Sequence, residues 1–391
     1  MIDVRDRTAV VGVGRTASDR DPGADPMSHI AAALKAACAD AGLSEGQLDG
    51  IMVNLGPEEA SMDKLPQMLG LPNVRWAFQS WPHGRLQPVC IATAVGAVLS
   101  GQADYVACVS TAQSLAGHRG AFGPQRRAEK LREGGGPHLE SPVYGLISVG
   151  GGAALAWRKY LLKYGGDPEG LAEVALAQRA WAQLQPEAYF HDRPLTIEDY
   201  RDSEMVVEPL RVLDHCLPAN AGFCMIVSSA ERAADCRRPP VYVSGMQGAA
   251  SGAEHFVFGR TGLGVGQQTE GPYTAPEMPV YRMAGIAREE VDVFGALDAF
   301  SPVVLFALEE FGFCAEGEAL DWVADGRTRP GGDFPLNTCG GGLSDAESFG
   351  WGHSVDIVRQ LRGDSGAAQV EGARVGQYVS GDRASVIYST H

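Results

Sequence analysis

The 391 residues are 45% hydrophobic, enough to bury a large core, which excludes intrinsic disorder and predicts two domains or two halves of one pseudo-symmetric unit. A net charge of −16 excludes a nucleic-acid partner held by phosphate contacts, and any anionic ligand must find a local basic patch. The 50 glycines and 23 prolines are dispersed through apolar segments, as in an α/β protein with many tight turns.

Thr8 to Val13 predicts a short buried strand, and Met27 to Gly42 a helix whose alanines and Leu34 recur at helical spacing, closed by Gly42. Gln47 to Val53 predicts the next strand, Pro88 to Ser100 a helix of small apolar residues, and Tyr105 to Ser110 another strand. This alternation points to a layered α/β fold with a parallel or mixed sheet. A long insertion, about 112–205, follows; it holds Gly134-Gly-Gly136 and an amphipathic helix from Pro168 to Gln183, and such inserts cap sites or build interfaces. The charged, proline-paired stretch Ala230 to Pro240 sets a boundary near residue 238, giving halves 1–238 and 239–391. Val241 to Gly245 restarts a strand. Pro302 to Phe311, capped by Gly312, and Trp351 to Leu361, before strands at Arg374 to Val379 and Ala384 to Ile387, repeat the first pattern and suggest internal duplication.

The eight cysteines sit mostly in apolar runs with no CxxC pair, which suits a reducing compartment. With no signal-peptide core and no apolar stretch of about 18 residues, a cytoplasmic location without membrane insertion is expected. The basic run Arg119, Arg126, Arg127, Lys130 and Arg132 is the candidate patch for the phosphates of an anionic ligand or for a partner contact, with a solvated surface loop as its plainer reading. The glycine runs lack both the GxxxxGK[ST] and the strand-anchored GxGxxG pattern, so they read as close-packing turns; Gly341 helps shape a ligand pocket. No cysteine, histidine or carboxylate set has metal-site spacing, and no cofactor is expected.

Several segments taken in order carry a family likeness: Val10-Val-Gly-Val-Gly14, Ala36 to Leu43 leading to Asp49-Gly-Ile51, Ser100-Gly-Gln-Ala-Asp104, Leu297-Asp-Ala-Phe300, Leu308 to Cys314, Pro335-Leu-Asn-Thr-Cys-Gly-Gly-Gly342, and Val358 to Gly363. Together they resemble the thiolase superfamily, in its lipid-transfer and sterol carrier protein X type branch. The resemblance implies a thiolase fold, two βαβαβαββ halves in a five-layer αβαβα unit, usually dimeric, binding an acyl thioester of CoA beneath the inserted region.

It also implies where a thiolase's chemistry should sit. A thiolase needs a thiolate, a base and donors for the thioester oxyanion. The nucleophile position falls on Gly84, beside His83; the oxyanion position on Leu297; the base position on Glu347; and the late cysteine position around Ser380-Gly381. All four thiolase groups are replaced. Cys90 lies about six residues too late for the nucleophile and reads as a core thiol, and Cys339 as a turn filler.

The steroid side-chain aldolases of the same superfamily also lack the cysteine, resemble this chain in the Asp-x-Phe and Asn-Thr-x-Gly-Gly segments, and use tyrosines at the positions of Leu297 and Glu347. The resemblance therefore implies retro-aldol cleavage of a β-hydroxyacyl-CoA, but Leu297 and Glu347 depart from the tyrosine pattern. Such a step needs a base for the hydroxyl proton, and Glu347, a carboxylate that a closed apolar pocket would make more basic, is the candidate, with a capping or salt-bridged residue as its plainer reading. His353 is its candidate helper, Asp298 a loop-bonding residue and His83 a donor to a thioester oxygen. The resemblance also implies a homodimer and a zinc-ribbon/OB-fold partner forming a heterotetramer. Two alternatives stand beside it: a non-catalytic acyl-CoA-binding or scaffold subunit, and an acyltransferase using Cys90.

Overall fold

The computed structural model describes residues 4–55, 61–112, 149–249, 278–380 and 383–390. Its strands are β1 Thr8–Arg15, β2 Gly50–Asn54, β3 Trp76–Ser80, β4 Tyr105–Thr111, β5 Met205–Val207, β6 Leu210–Arg211, β7 Gly222–Ser229, β8 Val241–Gln247, β9 Val293–Ala296, β10 Val375–Val379 and β11 Ser385–Ser389. The principal helices are α1 Pro26–Ala41, α2 Gln87–Leu99, α3 Val149–Tyr164, α4 Ala172–Ala182, α5 Pro279–Ala284, α6 Ser301–Glu310 and α7 Trp351–Arg362.

Nine strands form one sheet in the order β3-β2-β4-β7-β1-β8-β11-β10-β9. Outward from the β1/β8 seam the two sides repeat each other. β1 runs antiparallel to β7 and β7 to β4, while β4 and β2 are parallel; β8 runs antiparallel to β11 and β11 to β10, while β10 and β9 are parallel. Even the outermost position is matched, since β2 is parallel to β3 and Phe294 of β9 makes a parallel bridge to Leu336. The seam itself is short, Ala9 with Tyr242 and Val10 with Val241.

Three apolar clusters turn this sheet into five layers. Side chains of α1 pack with one face of β1, β2, β4 and β7. The opposite face meets α2 and α7, which also contact β8, β10 and β11. The far face of the second set meets α5, α6 and the insertion's α3 and α4. The αβαβα arrangement is thus present.

Local chemistry explains the elements. Asp25 caps α1 by accepting from Met27 N at 3.1 Å, with Pro26 in the first turn, and Gly42 ends it in the left-handed region. Gly12 and Gly14 let α1 lie directly on β1, because a side chain at either would strike the carbonyls of Ala37 or Ala33. Across the central layer, Gln87 Nε2 donates to Ser354 Oγ at 3.0 Å and Trp351 Nε1 to Asn54 Oδ1 at 2.8 Å, so α2, α7 and β2 are locked together.

Two expected boundaries need correction. Gln47 to Val53 is not one strand: Glu45–Gln47 is a 3-10 turn with Ser44 and Gln47 closing a capping box, and β2 starts at Gly50. Pro168 to Gln183 is divided as well, into a 3-10 turn over Pro168–Leu171 capped by Asp167 and then α4, which ends at Ala182. The arginine-rich run, with Arg126 and Arg127, and Gly134 to Gly136 lie outside the described residues.

Candidate active site

Asp298 and Ala299 follow β9, and α7 begins at Trp351; the loop between residues 337 and 350 joins these two neighbourhoods. Asn337 fixes one end by accepting from Ala296 N at 2.8 Å and donating to Ala296 O at 3.0 Å. A splint of extended chain holds the middle: Cys216 N donates to Ala299 O, Leu217 N to Gly342 O at 2.7 Å, and Glu347 N to Leu217 O at 3.0 Å. Arg15 clamps the far side through Asp345, 2.9 Å away and equally buried, and the Ser18 hydroxyl donates to the same carboxylate at 2.6 Å. From α4, Arg179 Nε donates to Ser344 Oγ at 3.1 Å, and from the turn just after it Gln185 Nε2 donates to Thr338 O at 3.1 Å.

This scaffold gathers three ionisable groups in a dry interior: Asp298 is 0% exposed, His353 3% and Glu347 4%. His353 Nε2 stands 3.0 Å from Asp298 Oδ1. Although that is ion-pair distance, neither atom has an aligned hydrogen bond. Asp298 Oδ2 accepts from Leu343 N at 3.3 Å. Glu347 Oε1 accepts from Phe349 N at 2.9 Å, while its Oε2 has no hydrogen-bond partner among the described residues. Gly342 makes the closeness possible, since a side chain there would meet Asp298 Oδ1 at 3.1 Å, Glu347 Oε2 at 3.3 Å and Cys216 Cβ at 3.4 Å.

Burial pushes the Glu347 carboxyl up to about 7, and the nearby Asp298 carboxylate adds to the rise; Phe349 N–H, Cys216 and His353 oppose it. For His353, burial alone would lower the imidazole, but Asp298, Glu347 and Asp356 more than reverse this and raise it. Such a pair of environments suits proton transfer: a carboxylate that is a useful base near neutrality, beside an imidazole that keeps its proton.

The expected residues Asp298, Glu347, His353 and Gly341 therefore come together. His83 is half-buried in the turn before α2, one residue from Gly84, whose α-carbon lies so close to Leu297 that any side chain would collide with it. Tyr378 OH donates to Gly84 O at 3.2 Å, closing the turn further. Cys90 is 1% exposed, and burial pushes its thiol up to about 12, which argues against acyl transfer through it. Asp214 accepts from Tyr200 OH at 2.9 Å and from Arg211 N at 2.8 Å, a structural arrangement, and His215 Nδ1 lies 2.8 Å from Arg211 O.

Three further residues at the site escaped sequence reading. Cys216 belongs to the splint, and burial, then Glu347 and Asp298, raise its thiol well above its ordinary value. Tyr378 reaches in from β10, its ring 5.6 Å from that of His353. Gln178 carried a usable signal, a polar residue at the buried helical phase of Val174, Ala175 and Ala182.

Comparison with known proteins adds the following. The thiolase C-terminal domain-like family matches residues 277–383. The steroid side-chain-cleaving aldolase of Thermomonospora curvata is 30% identical over 366 residues, 91% of this chain and 90% of that protein. The 17-hydroxy-3-oxo-4-pregnene-20-carboxyl-CoA lyase of Mycobacterium tuberculosis is 30% identical over 370 residues, 92% of each chain. Among solved structures, the Ltp2-ChsH2(DUF35) aldolase aligns with a TM-score of 0.85 at 27% identity, covering 99% of this chain and 98% of that one. Human mitochondrial 3-ketoacyl-CoA thiolase aligns at 0.69 with 15% identity, a likeness of fold alone.

Proposed function

We propose, from the premise that this chain belongs to the thiolase superfamily and within it to the family of the steroid side-chain-cleaving aldolases, that it is a carbon–carbon lyase cleaving β-hydroxyacyl-CoA thioesters by a retro-aldol step. One observation carries the reading: a buried Glu347 carboxyl, raised to about 7 and with one oxygen unpartnered among the described residues, stands beside the buried Asp298 and His353 pair.

In the proposed step Glu347 Oε2 takes the proton of the β-hydroxyl. The C–O bond becomes a carbonyl, the bond between the α- and β-carbons breaks, and its electron pair passes into the thioester enolate. His353, charged and held by Asp298, returns a proton to the α-carbon, giving a ketone or aldehyde and the shortened acyl-CoA. One proton moving from Glu347 back to His353 resets the site. The chemistry needs no thiolate, in keeping with Gly84 at the nucleophile position.

The assembly we propose is a homodimer joined by a zinc-ribbon/OB-fold partner into a heterotetramer, with halves divided near residue 238. β3 ends the sheet among the described strands, and Phe78 on it and Trp81 just after it are 42% and 61% exposed, which supports a two-fold contact there. The two-protein aldolase among the similar structures supports the second partner. No helix among the described residues is long and apolar enough to cross a membrane.

The test is to incubate the purified chain, alone and with an OB-fold partner, with β-hydroxyacyl-CoA esters and to follow released carbonyl compound and shortened acyl-CoA by mass spectrometry. Retained CoA-ester binding with no turnover under any pairing would refute the lyase and leave a scaffold.

A further inference from the structure

Helix α4 brings a polar side chain to the acid cluster that the proposed step does not use. Gln178 is fully buried, and neither its Oε1 nor its Nε2 has a hydrogen-bond partner among the described residues. Native interiors almost never leave a primary amide so. Around it α4 buries Val174, Ala175, Ala177, Trp181 and Ala182, and its one other buried polar residue, Arg179, has hydrogen-bond partners in Ser344 and Arg193.

The direction in which Gln178 points is informative. A side chain on Gly341 would come within 2.5 Å of Gln178 Oε1 and collide with Asp298 Oδ2, so the amide and the carboxylate flank the same bare α-carbon. With Oε1 on that side, the amide offers the carboxylate no donor. A half-turn of the last bond of Gln178 exchanges oxygen for nitrogen and puts a donor there. The helix is already fixed to this loop on both sides, by Arg179 to Ser344 and by Gln185 to Thr338 and Asp356, so little further ordering is needed.

We propose that Gln178 is a positioning residue, its Nε2 donating to Asp298 Oδ2 so that Oδ1 is left to face His353. This rests on reading Asp298 and His353 as the proton-returning pair of the lyase. A donor favours the charged form of a carboxylate. Without it, more of the carboxylate's charge acts on the imidazole, and His353 holds its proton more tightly. The other titratable groups facing this pair are Glu347 and Cys339 from the loop, Asp356 one turn along α7, Tyr378 from β10 and Cys216 from the splint.

The test is a histidine ¹³Cε1 NMR titration of the full-length protein without substrate, with the His353 resonance assigned by its loss in His353→Gln. Gln178→Met keeps the length and removes the donor; the His353 midpoint should rise by about one pH unit, and kcat should fall about tenfold with KM within about twofold. If that variant does not fold, Gln178→Asn, one methylene too short to reach, should give the same rise. An unmoved midpoint in a folded variant overturns the proposal. A moved midpoint in a protein without lyase activity would refute the function while supporting the hydrogen bond, and turnover with an unmoved midpoint would refute the hydrogen bond alone.

Discussion

The turn from Trp81 to Leu86 and the loop from residue 337 to 350 occupy corresponding places, each leading into a helix of the central layer, yet they have opposite contents. In the first, Gly84 is pressed against Leu297, Tyr378 closes over its carbonyl, and no nucleophile is present. In the second, buried carboxyl and imidazole groups are packed around glycines and tied down by Arg15, Arg179, Gln185 and the splint at Cys216 and Leu217. The fold thus offers two sites for chemistry, and this chain has filled one with hydrocarbon and the other with protons. A helix start of the same architecture does not imply the same reaction.

The most severe way to break this contrast is Glu347→Gln. Steady-state turnover of a β-hydroxyacyl-CoA should fall by about 10³-fold with little change in KM, within the range for losing a general base; unchanged kcat would remove Glu347 from the mechanism. Asp298→Asn should cost less, about 10²-fold in kcat, because His353 then loses the charge that holds its proton.

The pH dependence sharpens the same point. With Glu347 raised to about 7, log kcat/KM should climb on the acid side and level off above pH 7. Stability runs the other way. Between its ordinary value near 4.5 and about 7, the folded chain keeps a proton that the unfolded chain has released. The stability supplied by this group is complete below about pH 4.5 and is lost as pH rises through 7. Thermal unfolding should therefore show Glu347→Gln gaining about 2–3 kcal/mol over the native protein at pH 8.5 relative to pH 4.

On the other side of the comparison, Gly84→Ala should destabilise by about 1–3 kcal/mol through overpacking against Leu297, read as a lower Tm. Cys90→Ala should leave turnover within about twofold, and mass spectrometry after iodoacetamide at neutral pH should find Cys90 unmodified in the folded protein; labelling there would reopen acyl transfer.

Much of this was legible in the sequence because local rules dominate where local rules suffice. Gly42 after an alanine-rich helix, and Gly363 after Arg362, mark helix ends by backbone geometry alone. The Leu297-Asp-Ala-Phe and Asn337 to Gly342 segments located Asp298, Glu347 and His353 by register. Gln178, Cys216 and Tyr378 were missed because each reaches the site from an element far away in the chain, and only the folded layers bring them there. The 3-10 turn before α4 was missed because Leu171 and Ala172 both keep helical backbone angles, so the residue pattern runs on across the change of helix type.

The seam between β1 and β8 has a consequence for how the molecule comes into being. Thr8 pairs with Ser229 and Val10 with Val241, so β1 lies at the middle of the described sheet and waits for partners made much later. High contact order of this kind slows folding, and a nascent chain must keep an apolar strand shielded until both flanking strands have left the ribosome. Truncation anywhere before residue 241 leaves β1 with an open edge, the state in which such chains aggregate.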